Sequence, residues 1–165
     1  MKKHYIIELI FLICFAIASE LVLAKSDYKV VDGDSLEKGN VRIRLIDIDA
    51  PELFQECEDE NGKKYDCGFE AKKALEDLVY GGVSCESLGK DKYNRQLMKC
   101  FDGDEDINAK MVENGWALAY DDKYQLEEAL ARKNKNGIWK GKFMRPELYR
   151  ALQKAKENQK KVKKR

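Results

Sequence analysis

Hydrophobic and polar positions change period several times along the chain, and each change predicts an element. Residues 41–46 read Val, Arg, Ile, Arg, Leu, Ile. That alternation is the period of a strand, with two arginines on one face and apolar residues on the other. Gly39-Asn40 just before it is a hairpin signal. Ser35–Glu37 is then the partner strand, and Tyr28–Val31 lies across the Asp32-Gly33-Asp34 turn. Pro51 ends the third strand, and residues 53–67 form a charged loop. From Gly68 to Tyr80 the period becomes helical, with Phe69, Ala71, Leu75, Leu78 and Val79 on one side and Gly81-Gly82 as the stop. Val83–Leu88 and Arg95–Phe101 read as strands around an Asp91–Asn94 turn, and Asp102-Gly103-Asp104 makes another turn.

Two more helices follow, over Ile107–Asn114 and Tyr124–Lys133, closed by Gly115 and Asn136-Gly137. The stretch between them, Trp116–Tyr120, is apolar, and Glu147–Lys160 continues as a solvent-exposed helix. Trp116 and Trp139 are expected as core or helix-packing residues. Five short strands with three interposed helices make an α+β chain. A five-stranded OB-fold β-barrel with three packed helices is the natural candidate.

Composition sets the limits of this picture. A length of 165 residues is one domain plus extras, 44% apolar residues suffice for a core, and 37% charged argues against a membrane-embedded body. Residues 1–24 read as a signal peptide. Lys2 and Lys3 precede an apolar run from Leu9 to Ala18, and Val22-Leu23-Ala24 offers a cleavage site before Lys25. Glu8 and Glu20 interrupt that pattern, so an uncleaved membrane anchor is the alternative, although Leu9–Ser19 is short for a bilayer. The domain then spans residues 25–149, and residues 150–165 form a basic tail. Those last sixteen residues hold eight Lys/Arg against one Glu, so the formal +1 of the chain divides into +7 on the tail and −6 on the rest. A basic appendage on a mildly acidic body suits a polyanionic partner and a cation site.

Cysteine and histidine usage narrows the chemistry. Cys57, Cys67, Cys85 and Cys100 are an even set behind a signal peptide, which argues for disulfides in an oxidising compartment, secreted or periplasmic. Pairing Cys57 with Cys67 would staple the polar loop, and pairing Cys85 with Cys100 would join neighbouring strands. No Cys-x-x-Cys pair exists to favour zinc. The one histidine, His4, lies in the segment expected to be removed, so Ser-His-Asp and histidine–metal chemistry are excluded from the mature chain.

Three charged motifs remain: Asp32-Gly33-Asp34-Ser35, Arg44 to Glu52, and Asp91-Lys92-Tyr93-Asn94-Arg95. Asp34 after a glycine turn and Asp49 at a strand end can reach one ion if their strands lie side by side. Oxygen-only ligation favours Ca²⁺ or Mg²⁺. Arg44 and Arg95 are the residue type suited to bidentate contact with phosphate. Glu52, stiffened by Pro51, is the acid best placed to orient or deprotonate a water.

In order and rough spacing these motifs resemble the staphylococcal nuclease (thermonuclease) family, from about Tyr28 to Trp139, with Gly137-Ile138-Trp139 matching its closing motif. The resemblance implies an OB barrel and a Ca²⁺-dependent nuclease acting on DNA and RNA to leave 3′-phosphates. By that resemblance Asp34 and Asp49 bind Ca²⁺ through carboxylates and Ala50 through its carbonyl. Glu52 is the base or water-orienting group, Arg44 and Arg95 hold the reacting phosphate, and Lys92 and Tyr93 contact a neighbouring one. Tyr120 and Tyr124 are candidates for stacking on a base. No stable protein partner is implied, and a monomer is expected. The rival readings are a catalytically silent OB module that binds nucleic acid in the cell envelope, and a disulfide-stapled structural protein.

Overall fold

The computed structural model describes residues 27–163. The expected signal segment, with His4 and Cys14, lies outside those residues.

The hairpin signals set the sheet. β1 (Lys29–Asp32), β2 (Ser35–Lys38) and β3 (Val41–Leu45) form an antiparallel meander. β3 then pairs in parallel with β8 (Gln96–Asp102), which pairs antiparallel with β7 (Val83–Lys90), giving the order β1-β2-β3-β8-β7. β9 (Glu105–Asp106) adds a short rung to β8. Three-strand meander, parallel step and return hairpin make an α+β OB-fold. On β3 the alternation holds where it matters: Ile43 and Leu45 are buried, and Arg42 and Arg44 point the other way.

Helices cover the sheet. α1 (Cys67–Leu78) packs on β1, α2 (Ile107–Glu113) packs on β8, and α3 (Gln125–Asn134) packs on α2. Leu36, Ile43, Leu45, Ile48, Leu75, Ile107 and Met111 are the centre of the main core. A second cluster, Cys57, Cys67, Leu118 and Ile138, is bordered by Trp116, Trp139 and Phe143. Both tryptophans therefore pack as expected, Trp139 edge-on to Phe143 and under the Arg132 guanidinium.

Two segments hold more structure than their sequence suggests. The charged loop contains a hairpin, β5 (Cys57–Glu58) with β6 (Lys64–Tyr65), and the apolar stretch after α2 contains β10 (Leu118–Ala119), which pairs with β4 (Ile48–Asp49). A fourth helix, α4 (Pro146–Lys163), follows the 3-10 turn Gly137–Lys140. The boundary expected at residue 150 falls inside it.

Both disulfides take the expected pairing. Cys85 and Cys100 face each other across β7 and β8, and Cys57–Cys67 closes the β5–β6 hairpin onto the start of α1. Removing the second bridge in a Cys57→Ser/Cys67→Ser protein is expected to cost about 2–3 kcal/mol of unfolding free energy, read by urea titration. Loss of well under about 1 kcal/mol would mean that Gln55 and the hairpin already hold this loop without it.

Candidate active site

Five chain segments meet in one cleft of about 910 Å³. Asp34 directly precedes β2, where Ser35 lies opposite Arg44 of β3. The Leu45 N–H donates to the Asp34 carbonyl, and the Asp34 carboxylate reaches diagonally to the Arg44 guanidinium. Gly33 is what lets the turn sit so deep. A Cβ there would lie 2.7 Å from the Ala50 Cβ and 2.8 Å from the Ala71 Cβ, closer than carbon atoms pack. With glycine in place, the Ala50 N–H donates to Asp34 Oδ2 at 2.9 Å. Asp32 instead accepts the Asp34 N–H at 3.1 Å, so its part in the motif is to shape the turn.

Asp47, in the left-handed region at φ 63°, reverses the chain between β3 and β4. The Tyr120 N–H donates to its carbonyl at 2.9 Å, which fixes the β10 end against this turn. Asp49 then points into the cleft from β4. It accepts from Arg44 Nη2 at 3.0 Å, while Arg44 Nη1 donates to Asp34 Oδ1. One guanidinium thus bridges the two buried carboxylates. Ala50 is buried behind them.

Glu52 is held by its loop. Its N–H donates to Gln55 Oε1 at 3.3 Å and its carbonyl accepts from the Gln55 N–H at 2.7 Å. Gln55 is fully buried and its Nε2 donates to the Met144 carbonyl at 2.7 Å. Gly68 presses the start of α1 on the same loop, since a Cβ there would lie 1.8 Å from the Glu52 carbonyl oxygen.

The β7–β8 turn supplies the basic rim. Arg95 Nε donates to Asp91 Oδ2 at 2.8 Å, and the Arg95 and Tyr93 N–H groups both reach Asp91 Oδ1. Burial works against the Asp91 charge, yet these N–H donors and the Arg95 guanidinium hold its carboxyl below the usual range. Arg42 Nη2 donates to the Tyr93 carbonyl at 3.1 Å, and the Lys92 ammonium lies over the Tyr93 ring. Lys92, Tyr93, Arg95 and Tyr120 all line the cleft. Tyr124 does not belong with them. Its hydroxyl donates to Asp106 Oδ2 at 3.0 Å and its ring packs on the main core, so its N-terminal place on α3 serves packing.

The comparisons with known proteins follow the same residues. The family model described as staphylococcal nuclease homologue matches residues 42–141. The chain belongs to the staphylococcal nuclease family. It is 35% identical over 130 residues to the succinoglycan biosynthesis protein ExoI of Rhizobium meliloti, covering 74% of this chain and 67% of that one. It is 34% identical over 142 residues to a Haemophilus influenzae protein named an uncharacterized endonuclease, covering 78% and 74%. Endonuclease YhcR of Bacillus subtilis is 30% identical over 134 residues, which are 67% of this chain and 11% of YhcR.

The staphylococcal nuclease match begins at Arg42 and ends at Gly141, so Asp34 and α4 join the cleft from outside it. Sequence reasoning missed the α4 contribution, as it missed Gln55 and Gly68. Arg150 Nη1 donates to Asp49 Oδ1 at 2.9 Å and to Glu52 Oε1 at 2.8 Å, and Nη2 donates to Asp49 Oδ2 at 3.1 Å. Burial works against its charge, but those bonds hold Arg150 firmly protonated. One signal could have singled it out: the tail opens on an arginine and continues with lysines as far as Lys164. Arginine is the type that forks onto carboxylates. Gln55 and Gly68 carry no such signal.

The donor set suits a hard cation. Among the described residues no group of three or more acidic, histidine or cysteine side chains is arranged to hold a metal. What this family member offers is two buried carboxylates, Asp34 and Asp49, with Glu52 beside them, three acidic groups facing the two guanidiniums of Arg44 and Arg150. Burial pushes the Asp34 carboxyl up to about 6 from 3.8, although Arg44 pulls the other way. Hard oxygen ligands with excess negative charge favour Ca²⁺ over zinc or copper. With cations chelated, the raised Asp34 value makes protonation favour the folded state. That contribution is complete below pH 3.8 and is lost as the pH rises through about 6. The urea stability of Asp34→Asn relative to the unsubstituted protein should therefore grow between pH 4 and 7, by about 2–3 kcal/mol. A flat difference would mean Arg44 fully compensates the charge.

Proposed function

We propose that this chain is a Ca²⁺-dependent nuclease that hydrolyses the phosphodiester bonds of DNA and RNA by in-line attack of water, leaving 3′-phosphate products. The observation that carries this reading is the meeting of Asp34, Asp49 and Glu52 with Arg44 in one cleft whose rim holds Lys92, Tyr93 and Arg95. Relatives named endonucleases support a nuclease in general terms. Asp34 and Asp49 would hold the cation, with the Ala50 carbonyl as a further oxygen donor. A bound Ca²⁺ supplies neutralisation of charge on a phosphate oxygen.

The chain's own residues do the rest. Glu52, half-buried at the cleft edge, orients a water and takes its proton. Arg44 and Arg95 stabilise the charge that accumulates on the phosphorus oxygens, contacts that strengthen as the transition state forms. Arg95 reaches substrate by exchanging part of its Asp91 pairing for phosphate. Lys92 and Tyr93 position the adjoining phosphate, and the half-exposed Tyr120 offers a ring face to a base.

The protein is proposed to act as a monomer in an extracytoplasmic compartment. Two disulfides support this compartment, and no helix of the described residues is long and apolar enough to cross a membrane. The deciding experiment is digestion of single-stranded DNA and of RNA with Ca²⁺ and with a chelator, followed by end-group analysis. Ca²⁺-dependent cleavage to 3′-phosphates supports the proposal. Nucleic-acid binding with no cleavage would replace it with a silent binding module.

A further inference from the structure

Resting on the nuclease reading above, we propose that Arg150 is a positioning residue that locks Asp49 to Glu52 and is the internal competitor of the cation for Asp49. Asp49 Oδ1 already accepts from both Arg44 and Arg150, and Oδ2 accepts from Arg150. A carboxylate oxygen takes about two partners in good geometry. Oδ1 is therefore full and Oδ2 keeps one site, so bidentate ligation of a cation by Asp49 has to displace a guanidinium, and ligation through Oδ2 alone sets the cation against the Arg150 charge.

Arg150 is the one that yields. Arg44 sits within the sheet, is 19% exposed, and has two further partners in Asp34 and the Ile48 carbonyl. Arg150 is 42% exposed and projects from an exposed helix. Its remaining partner, Glu52, accepts from the same nitrogen that would leave Asp49 Oδ1. Release from Asp49 thus leaves Arg150 on Glu52, the proposed base, and keeps that carboxylate directed at the cleft.

The helix does not depend on Arg150 for its seat. Tyr149 Oη donates to the Phe54 carbonyl at 3.1 Å, and Gln55 holds the Met144 carbonyl just before α4 begins. Substitution of Arg150 should therefore leave α4 docked on the Glu52 loop. Sequence position hides this arrangement, because Asp49 and Arg150 are 101 residues apart.

The test is Ca²⁺ titration by calorimetry of the full-length oxidised protein, Arg150→Met and Arg150→Lys, with kcat and KM on DNA measured alongside. Removing a positive charge that competes for the same oxygens should tighten Ca²⁺ binding about tenfold in Arg150→Met. Arg150→Lys keeps the charge and loses the fork, so its affinity should fall between the two. The same series should lower kcat more than it changes KM, with partial rescue by lysine, because Glu52 loses its anchor. A Ca²⁺ affinity unchanged or weakened in Arg150→Met overturns the proposal. If the unsubstituted protein still cleaves DNA, the nuclease reading survives that result. If neither protein binds Ca²⁺ and neither cleaves, both readings fall together. Should Arg150→Met not fold, Arg150→Lys decides, with binding a few-fold tighter as the expected result and no change as the contrary one.

Discussion

Replacing Glu52 with glutamine is expected to lower kcat about 10²–10⁴-fold while KM on single-stranded DNA changes little. Glutamine keeps the size of the side chain and an oxygen that Arg150 Nη1 can still address, so the loop geometry survives. What it removes is the capacity to take a proton from water. The loop is held independently, through the two Gln55 bonds to the Glu52 backbone and the contact of Gly68 with the Glu52 carbonyl. Stability should therefore stay within about 0.5 kcal/mol of the unsubstituted protein. The check is steady-state kinetics with Ca²⁺ together with urea unfolding. Equal losses in kcat and in substrate affinity would make Glu52 a binding residue and remove it from the proton-handling role.

The sheet was legible in the chain because its rules are local. Arg42-Ile43-Arg44-Leu45 alternates, Gly39-Asn40 turns, and both act over a few residues. The β5–β6 hairpin was not legible, because Glu, Asp and Lys dominate it and its order comes from a bridge to α1 and from a rung to Lys142. The site divides the same way. Asp34, Arg44, Asp49 and Glu52 stand in motifs whose spacing already brings them to one end of the barrel. Tyr124 looked equivalent to Tyr120 as a stacking ring, but its left-handed backbone at φ 57° turns it toward Asp106. Gln55 and Arg150 act through contacts 89 and 101 residues away, which no local pattern encodes. A buried glutamine in a charged loop carries no signal, and an arginine opening a lysine-rich helix is a signal whose carboxylate partners only the fold identifies.

Arg44 and Arg95 should separate when each is changed to alanine. Both losses are expected to lower kcat about 10²–10³-fold, since each removes a guanidinium from the charge that builds on phosphorus. Their effects on stability should differ by several kcal/mol. Arg95 pairs with Asp91 on a turn where its side chain is 27% exposed, and Asp91 keeps two backbone N–H donors without it. Its removal should cost about 1 kcal/mol or less. Arg44 bridges two carboxylates that are each under 10% exposed. Without it Asp34 keeps the Ala50 N–H and the Ser35 hydroxyl but no cation, an uncompensated buried charge that should cost about 3 kcal/mol or more. Millimolar Ca²⁺ should restore part of the stability of Arg44→Ala and little of that of Arg95→Ala, because only the first variant leaves carboxylates that a cation can satisfy. Urea titrations with Ca²⁺ and with chelator read all four values. Equal stabilities for the two variants in chelator would mean that Arg150 alone neutralises the Asp49 end and that Asp34 is protonated there. Arg44 would then act on substrate and contribute little to the fold.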